Sequence, residues 1–363
     1  MSPHHRKPEV VASKLNGWFP NTKNPVIISA PMLGVSNGTL AANVSLAGGF
    51  GMVPGAFNLG PDSPDLATLS AELTTARRIL GLADRPLTPI PVGVGFILCD
   101  SSASHFLSTV IPPLQDHSPQ AVWLFAPDLD AEEGFVRGII DALHASGFIV
   151  FFQVGSVAAA RKAVQDGADV IVAQGIDAGG HQAAIGSGVV SLVPEVVSMV
   201  EDEFKDRGVV VVAAGGIVDG RGVAAVLALG AEAAVMGTRF LVAPEASTAD
   251  YCRKLILETV DGGVSTAKSS FHDNLQGPGR WPAAYDGRAI VTELYRDHIA
   301  GVSLEESQAR FSEAKAAGDL SRQITWAGTG IGLVKDARPA GEIVTDVREA
   351  AKKRFHAVQS LFQ

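Results

Sequence analysis

The sequence predicts an α/β protein, a (β/α)8 TIM barrel that is followed by a C-terminal cap or lid segment. Two observations lead to this class. Short apolar runs alternate with amphipathic stretches up to about residue 260, and the apolar runs are rich in β-branched residues and too short for buried helices. Eight such runs with helical stretches between them are typical of a closed parallel barrel, and an open doubly wound sheet is the alternative.

The predicted elements follow the chain in a regular order. Strands are expected at 26–31, 50–54, 91–98, 121–125, 148–153, 169–174, 209–214 and 233–237. Helices are clearest at 66–80, 131–146, 156–166 and 220–229. Glycines stand where helix C-caps are expected, at Gly147, Gly167, Gly208 and Gly230.

The regular alternation of apolar runs and amphipathic stretches ends near residue 260, which predicts a barrel over residues 1–261 and a cap over 262–363. Residues 262–288 read as irregular, 289–317 as helical, 318–341 as Gly-rich without a period, and 342–360 as a charged helix. Because the apolar content of this part is thin, we expect it to pack on the barrel mouth.

Composition excludes several classes of function. Of the 363 residues 47% are hydrophobic and 18% charged, and the formal net charge is −9, which argues against a nucleic-acid or membrane-binding surface. The two cysteines, Cys99 and Cys252, lie far apart, so neither a disulfide framework nor a zinc site is expected. No apolar run is long enough to span a bilayer and no signal-peptide core follows Met1, so a cytoplasmic protein is expected.

Active sites of such barrels lie at the carboxyl ends of the strands, and glycines cluster at two of these ends. Gly215 and Gly216 follow the seventh predicted strand, and Gly237 and Thr238 follow the eighth after Met236. Backbone N–H groups in these two loops form the usual phosphate site of a barrel, so a phosphate-bearing ligand is predicted. Phosphate alone does not identify the ligand, since phosphorylated substrates use the same loops.

The loop after the sixth predicted strand carries a histidine. His181 follows Ala178–Gly179–Gly180, whose glycines leave space for a ligand beside the ring. A neutral imidazole titrates near neutral pH, which suits proton abstraction from a substrate or hydrogen bonding to it. We therefore select His181 as the catalytic candidate over the other histidines.

At this point the sequence resembles the nitronate monooxygenases, formerly called 2-nitropropane dioxygenases, and most of all the fungal-type members. The resemblance runs in order and spacing over about residues 25–250 and extends through Trp281–Pro282 and Tyr285–Asp286–Gly287–Arg288. Two positions differ: Asp177 stands where many members carry Glu, and Gly93–Val94–Gly95–Phe96 lacks the Asn that many bacterial members carry. The segments that carry the resemblance are Ala30–Pro31–Met32, Gln174–Gly175–Ile176–Asp177–Ala178–Gly179–Gly180–His181, Ala214–Gly215–Gly216–Ile217 and Met236–Gly237–Thr238–Arg239–Phe240.

The resemblance implies non-covalent FMN and oxidation of alkyl nitronates by O2 to a carbonyl compound and nitrite. His181 would act as base towards a neutral nitroalkane or as hydrogen-bond partner of the nitronate. A monomer and a homodimer both remain open. The cofactor-binding residues implied are Ala30, Pro31, Met32, Gln153 and Gln174 for the flavin ring, Gly179, Gly216, Gly237 and Thr238 for the phosphate, and Gly180, Gly215 and Met236 beside them.

Several alternatives remain open at this stage. An FMN- and NADH-dependent enoyl-thioester reductase has a similar barrel and histidine loop, and a non-catalytic flavin- or phosphate-binding barrel is a third class. Gly34–Val35–Ser36–Asn37–Gly38 matches the G-x-S-x-G pattern of serine hydrolases, but such a pattern occurs easily in a Gly-rich chain. His272–Asp273 is an isolated pair without zinc-site spacing.

Four side chains of the C-terminal part and its surroundings have two interpretations each. Trp281 and Tyr285 either pack the cap on the barrel, which is slightly favoured, or line the substrate pocket. Arg239 and Arg288 either attract an anionic nitronate or form structural ion pairs.

Overall fold

The computed structural model describes residues 13–128, 130, 132–277 and 281–362. The strands are β1 (Val26–Ser29), β2 (Gly51–Pro54), β3 (Ile90–Ile97), β4 (Pro119–Phe125), β5 (Ile149–Val154), β6 (Val170–Gln174), β7 (Gly180–Ala183), β8 (Val210–Ala214), β9 (Ala233–Met236), β10 (Thr266–Ser269) and β11 (Tyr285–Ile290).

Eight of these strands form one parallel sheet that closes on itself. Their order is β1-β9-β8-β6-β5-β4-β3-β2, and a parallel bridge between Ile28 and Phe50 joins the two ends of the sheet. The N–H of Ser29 donates to the carbonyl of Phe50 at 3.1 Å and completes this closure. The predicted (β/α)8 barrel is confirmed, and the open doubly wound sheet is excluded.

Helices lie between the strands, as expected for parallel connections. Some of them begin with a side-chain cap; for example, Ser63 accepts a hydrogen bond from the N–H of Asp65. The helices are α1 (Lys14–Trp18), α2 (Gly38–Leu46), α3 (Pro64–Ile79), α4 (Phe106–Thr109), α5 (Ile111–His117), α6 (Phe135–Ala145), α7 (Val157–Asp166), α8 (Val189–Glu203), α9 (Gly220–Ala228), α10 (Asp250–Glu258), α11 (Gly262–Ser265), α12 (Phe271–Asn274), α13 (Glu293–Ile299), α14 (Leu304–Ala317) and α15 (Ala340–Gln359).

The predicted barrel elements agree with these bounds to within a few residues, with one misassigned glycine. Gly167 caps α7 with φ of 112°, and Gly147 and Gly230 follow the ends of α6 and α9 with φ of 83° and 103°. Gly208, with φ of 70°, is not a helix cap, because α8 already ends at Glu203. It turns the chain into β8 instead.

Side chains alternate along the barrel strands between two separate cores. In β1, Ile27 packs in the layer between the sheet and the helices, whereas Val26 and Ile28 pack inside the barrel. Phe50 and Phe151 fill the barrel interior as parallel rings 6.2 Å apart. The barrel is therefore a filled core, and a ligand can bind only at one of its ends.

The prediction that residues 262–288 are irregular is wrong, because they contain two strands. β10 pairs antiparallel with β11, and β11 pairs antiparallel with β7, which carries His181. The sequence of this segment gave no sign of these strands, because they are short and polar and show no alternation of apolar and polar residues. The helical prediction for 289–317 holds for α13 and α14, although residues 289 and 290 belong to β11.

The predicted charged helix is confirmed as α15, but it does not lie at the barrel mouth. It packs against α9 and α2 in the outer helical layer. Whether the chain divides into a barrel of 1–261 and a cap of 262–363 stays a prediction. Among the described residues, no helix is long and apolar enough to cross a membrane.

Candidate active site

A cavity of about 420 Å³ opens at the carboxyl ends of the barrel strands. Active sites of this fold occur at this end, and the wall combines residues at the ends of all eight barrel strands or in the loops after them with residues of the C-terminal part. Of the residues predicted to bind or act, the wall contains Ala30, Pro31, Met32, Gln153, Gln174, Gly179, Gly180, His181, Gly215, Gly216, Gly237 and Thr238.

Met236 is the predicted site residue that the structure places elsewhere. Its side chain is fully buried in the layer between the sheet and the helices. The alternation of side chains along β9 directs it away from the barrel interior and mouth. Met236 contributes to the site through its backbone, because its carbonyl accepts from the N–H of Ala30 at 3.0 Å. The structure therefore places this side chain outside the cavity wall, and a role of Met236 in cofactor binding stays a prediction.

The glycine loops after β8 and β9 fit an anionic group. Among the described residues, the N–H groups of Gly216 and Gly237 find no acceptor in the protein, although both residues line the cavity. A Cβ atom at Gly237 would meet the side chains of Met32 and Ala30 only at 3.6 and 3.7 Å, so protein packing does not demand glycine there. Free N–H groups beside open space are what a phosphate requires.

Gly179 has a different reason to be glycine from the predicted one. A Cβ at this position would lie 2.3 Å from the backbone carbon of Ala327 and 2.4 Å from the backbone nitrogen of Gly328. The residue is thus needed for the close approach of residues 326–330, which we name the strap. Gly180, with φ of 70° and open space around it, leads directly into His181.

The strap is hydrogen-bonded to two loops at the cavity, the one after β6 and the one after β9. The N–H of Gly328 donates to Thr238 Oγ1 at 3.0 Å, and the N–H of Thr329 donates to the carbonyl of Asp177 at 3.0 Å. The carboxylate of Asp177 accepts from Thr329 Oγ1 at 3.2 Å. Asp177 therefore holds the strap and does not line the cavity.

The third barrel strand approaches the first loop through a glycine. A Cβ at Gly95 would lie 2.5 Å from the ring of Pro31. The cavity wall at this point is formed by Gly95, Phe96 and Ile97. The segment that lacks an Asn therefore serves the close packing of the Ala30–Pro31–Met32 turn.

A chain of side-chain hydrogen bonds crosses the floor of the cavity. Trp123 Nε1 donates to Gln153 Oε1 at 3.1 Å, and Gln153 Nε2 donates to Gln174 Oε1 at 2.7 Å. Gln174 Nε2 then donates to the carbonyl of His181 at 3.3 Å. This chain fixes the orientation of both amides and supports the backbone of the histidine.

The imidazole of His181 is held by three side chains of the C-terminal part. Its Nε2 lies 2.7 Å from Asp273 Oδ1. One face stacks on Trp281 with ring centroids 3.8 Å apart, and Trp326 lies against it with a centroid distance of 4.8 Å. The His181 side chain keeps 19% of its surface exposed, whereas that of Asp273 keeps 7%. The ring is thus oriented and accessible from the cavity.

Asp273 and Trp326 are site residues that sequence analysis missed. Asp273 lies 92 residues from His181 in the chain, and no spacing rule links two positions so far apart. Trp281 was interpreted as a packing residue; it also lines the cavity, so that interpretation is incomplete. Tyr285 does pack, since its hydroxyl donates to the carbonyl of Pro127 at 3.1 Å and its ring meets Phe125.

His272, the neighbour of Asp273, is buried outside the cavity wall. Burial lowers its pKa from the ordinary value of 6.5 to about 4. Its Nε2 lies 3.3 Å from the carbonyl of Ala267. Because the ring is neutral at physiological pH, it acts as a packing residue between Tyr295 and Trp326.

The remaining candidates have structural partners. Arg239 pairs with Asp336 at 2.6 Å, and Arg288 donates from Nε to the carbonyl of Ile176 at 3.1 Å. Ser36 donates to the carbonyl of Ala30 at 2.9 Å, which removes the basis for a serine hydrolase. Among the described wall residues there is neither lysine nor arginine, so His181 is the group that can become cationic there.

Comparison with known proteins agrees with this geometry. The sequence model of the nitronate monooxygenase family matches residues 135–349. A nitronate monooxygenase of Neurospora crassa is 59% identical over 97% of this chain and 96% of its own length. The nitronate monooxygenase npaC of Metarhizium robertsii is 34% identical over 92% of this chain and 93% of its own length.

Solved structures share the fold. FabK from Thermotoga maritima superposes with a TM-score of 0.73 at 25% identity, over 97% of this chain and 99% of its own. A nitroalkane oxidase from Streptomyces ansochromogenes superposes with a TM-score of 0.70 at 24% identity, over 95% of this chain and all of its own. On the family match and the two fungal relatives, the chain belongs to the nitronate monooxygenase family.

Proposed function

We propose that the protein is an FMN-dependent monooxygenase that oxidises alkyl nitronates with O2 to a carbonyl compound and nitrite. The observation that carries the proposal is the ring of His181, held between Asp273 and Trp281 in the wall of the barrel-mouth cavity. Family membership supplies the reaction class, and this ring supplies a polar group where a small substrate would bind.

The residues of the cavity fit FMN. Its phosphate would bind to the free N–H groups of Gly216 and Gly237, with Thr238 beside them. The flavin ring would be held by Ala30, Pro31 and Met32 with the amides of Gln153 and Gln174, whose orientation is fixed by their own hydrogen bonds. When bound, FMN supplies the electron acceptor that oxidation of a nitronate requires.

The protein contributes proton transfer and orientation. A neutral nitroalkane would give the proton of its α-carbon to the imidazole of His181, while the electron pair of the broken C–H bond moves into the nitro group. The nitronate anion formed would then lie beside an imidazolium. A nitronate taken up directly from solution would instead accept a hydrogen bond from the same ring.

The rest of the wall restricts what can enter. Trp281 and Trp326 flank His181, and Phe57, Phe125 and Leu241 contribute further apolar surface. Such a wall excludes water from the reacting carbon and favours a small, largely apolar substituent.

A visible spectrum and oxygen uptake test the proposal together. The purified protein is expected to be yellow from released or bound FMN, to consume O2 with propionate 3-nitronate, and to release nitrite. NADH with an enoyl thioester tests the reductase alternative in the same apparatus. Absence of flavin would contradict the proposal, and rapid NADH oxidation without nitrite release would favour the reductase.

The role of His181 has its own test. His181→Asn is expected to retain FMN, because the proposed ring and phosphate contacts lie on other residues, and to lose roughly 10²–10⁴-fold in kcat/KM for a neutral nitroalkane. Oxidation of the preformed nitronate should fall much less.

The matched control is His144→Asn. His144 also pairs with a carboxylate, Asp169, at 2.9 Å, but it lies outside the cavity wall. Equal losses with nitroalkane and nitronate in the His181 variant would count against the base role.

A further inference from the structure

We propose that Asp273 is a positioning residue that keeps His181 protonated on Nε2 and so leaves Nδ1 as the atom that receives the substrate proton. The proposal rests on the proposed function of His181 and goes beyond it by naming the residue that selects the reactive nitrogen.

The hydrogen bond between the two side chains defines the tautomer. Asp273 Oδ1 lies 2.7 Å from His181 Nε2. An ionised carboxylate can only accept, so the proton of a neutral imidazole must be on Nε2. In the described part of the chain Nδ1 has no hydrogen-bond partner, and its lone pair is free for the substrate.

The surroundings of Asp273 indicate that the role of its carboxylate is to orient His181. The residue is 5% exposed, and its second oxygen, Oδ2, is buried without a partner in the described structure. By contrast, the carboxylate of Asp219 at the start of α9 accepts from the N–H groups of both Arg221 and Gly222. A buried carboxylate with one donor is costly for stability.

The other groups around the pair do not compensate this charge. His272 on the same helix is neutral, and Trp281 and Trp326 offer aromatic surface to the imidazole. No lysine or arginine of the described chain forms an ion pair with Asp273. The imidazole of His181 is therefore the main electrostatic partner of this carboxylate, as expected for a residue that orients a catalytic base.

Replacing the carboxylate by an amide removes the selection of tautomer. In Asp273→Asn, either the amide oxygen accepts from Nε2 or the amide nitrogen donates to it. Because Oδ2 of Asp273 has no partner, nothing in the described surroundings fixes the amide in one orientation. The variant should thus contain the opposite tautomer, in which Nδ1 carries the proton and cannot act as a base.

The tautomer can be measured without turnover. The protein has nine histidines, and ¹⁵N-histidine labelling resolves Nδ1 and Nε2 of each ring by NMR, with His181→Asn assigning the signal. We expect the FMN-loaded wild type to show protonated Nε2 and Asp273→Asn to show a shift towards protonated Nδ1. An unchanged tautomer in the variant would overturn the proposal.

Kinetics supply the second arm. Asp273→Asn should lower kcat/KM for a nitroalkane about 10²-fold or more, with a much smaller loss for the preformed nitronate. Asp273→Glu keeps the charge and should recover at least about tenfold of this loss. Asp169→Asn, which alters a histidine–carboxylate pair outside the cavity, is the control and should leave both rates unchanged.

The two arms separate this proposal from the proposed function. If the tautomer shifts as expected but wild type does not oxidise nitroalkanes, the base role of His181 is wrong and Nδ1 receives no substrate proton, whereas the control of the tautomer by Asp273 stands. If Asp273→Asn folds, as judged by its melting curve, and lowers both rates equally, Asp273 does not act through proton transfer and the proposal fails.

Discussion

At the scale of residues, two histidines that are close in space have opposite properties. His181 keeps contact with the cavity and with a carboxylate, whereas His272 is 2% exposed and has a pKa lowered to about 4 by burial. Sequence gives no means of telling them apart by charge, since their pKa values in a free chain are equal. Burial by Tyr295 and Trp326, which belong to the folded C-terminal part, makes His272 a packing residue, whereas His181 stays open to the cavity.

The buried histidine predicts a pH dependence of stability. Its pKa is lower in the folded protein than in the unfolded chain, so below pH 6.5 the unfolded chain binds the proton more readily. Stability should fall as pH decreases from 6.5 towards 4, and His272 alone should contribute a loss of about 3 kcal/mol at the lower end.

Urea denaturation between pH 4.5 and 7 measures this effect. His272→Gln keeps a donor for the carbonyl of Ala267 but cannot titrate, so its free energy of unfolding should fall less steeply with acid than that of wild type. His356→Gln, which alters an exposed histidine of α15, is the control. Parallel pH curves for wild type and His272→Gln would contradict the prediction.

At the scale of elements, the close approach of the strap explains why the loop before His181 needs a glycine at position 179. Gly179→Ala would place a Cβ 2.3 Å from the backbone of Ala327, where no side chain can yield. We expect the strap to move away from Thr238 and Asp177, with a loss of about 1–3 kcal/mol in stability and weaker binding of the proposed FMN.

Gly180→Ala is the matched comparison for this variant. It meets no atom within 4 Å, but its φ of 70° is unfavourable for alanine, so a loss of about 1 kcal/mol is expected from backbone strain alone. Thermal melts of the FMN-free proteins and flavin fluorescence titration measure both effects. If Gly179→Ala is no more damaging than Gly180→Ala, the close approach of the strap is not a constraint on the fold.

The same elements show what a sequence can predict and where its information ends. The barrel strands were predictable because they are apolar runs such as 209–214. Their side chains must be apolar on both faces, since one face packs against the helices and the other fills the barrel interior. Strands β10 and β11 were not predictable, because they are short, polar and paired with a loop strand far away in the chain. His181 could be selected as a candidate because active sites of barrels lie at the strand ends, whereas Asp273 reaches the cavity from α12, whose position depends on that second sheet.

At the scale of the whole molecule, the last helix completes the ring of helices around the barrel. Arg348 of α15 is 4% exposed and reaches the turns that precede β1 and β2. Its guanidinium donates to the carbonyls of Lys23, Pro25, Ala47 and Gly48 at 2.6 to 3.2 Å. One side chain of α15 thus satisfies four backbone carbonyls in the turns before β1 and β2 and links this helix to the first two strands of the barrel.

Arg348→Met tests how strongly this helix belongs to the barrel. Methionine keeps an apolar stem of similar reach but leaves the carbonyls without these donors, so the free energy of unfolding should fall by about 2–4 kcal/mol. Lys352→Met on the same helix removes an exposed ion pair with Glu349 and should change it by less than about 0.5 kcal/mol. Urea unfolding followed by far-UV circular dichroism and by tryptophan fluorescence should give one coincident transition for each protein, because loss of α15 exposes the outer layer of the barrel. An early separate loss of helix in Arg348→Met, with barrel fluorescence intact, would instead favour a division into a barrel of 1–261 and an independent segment of 262–363.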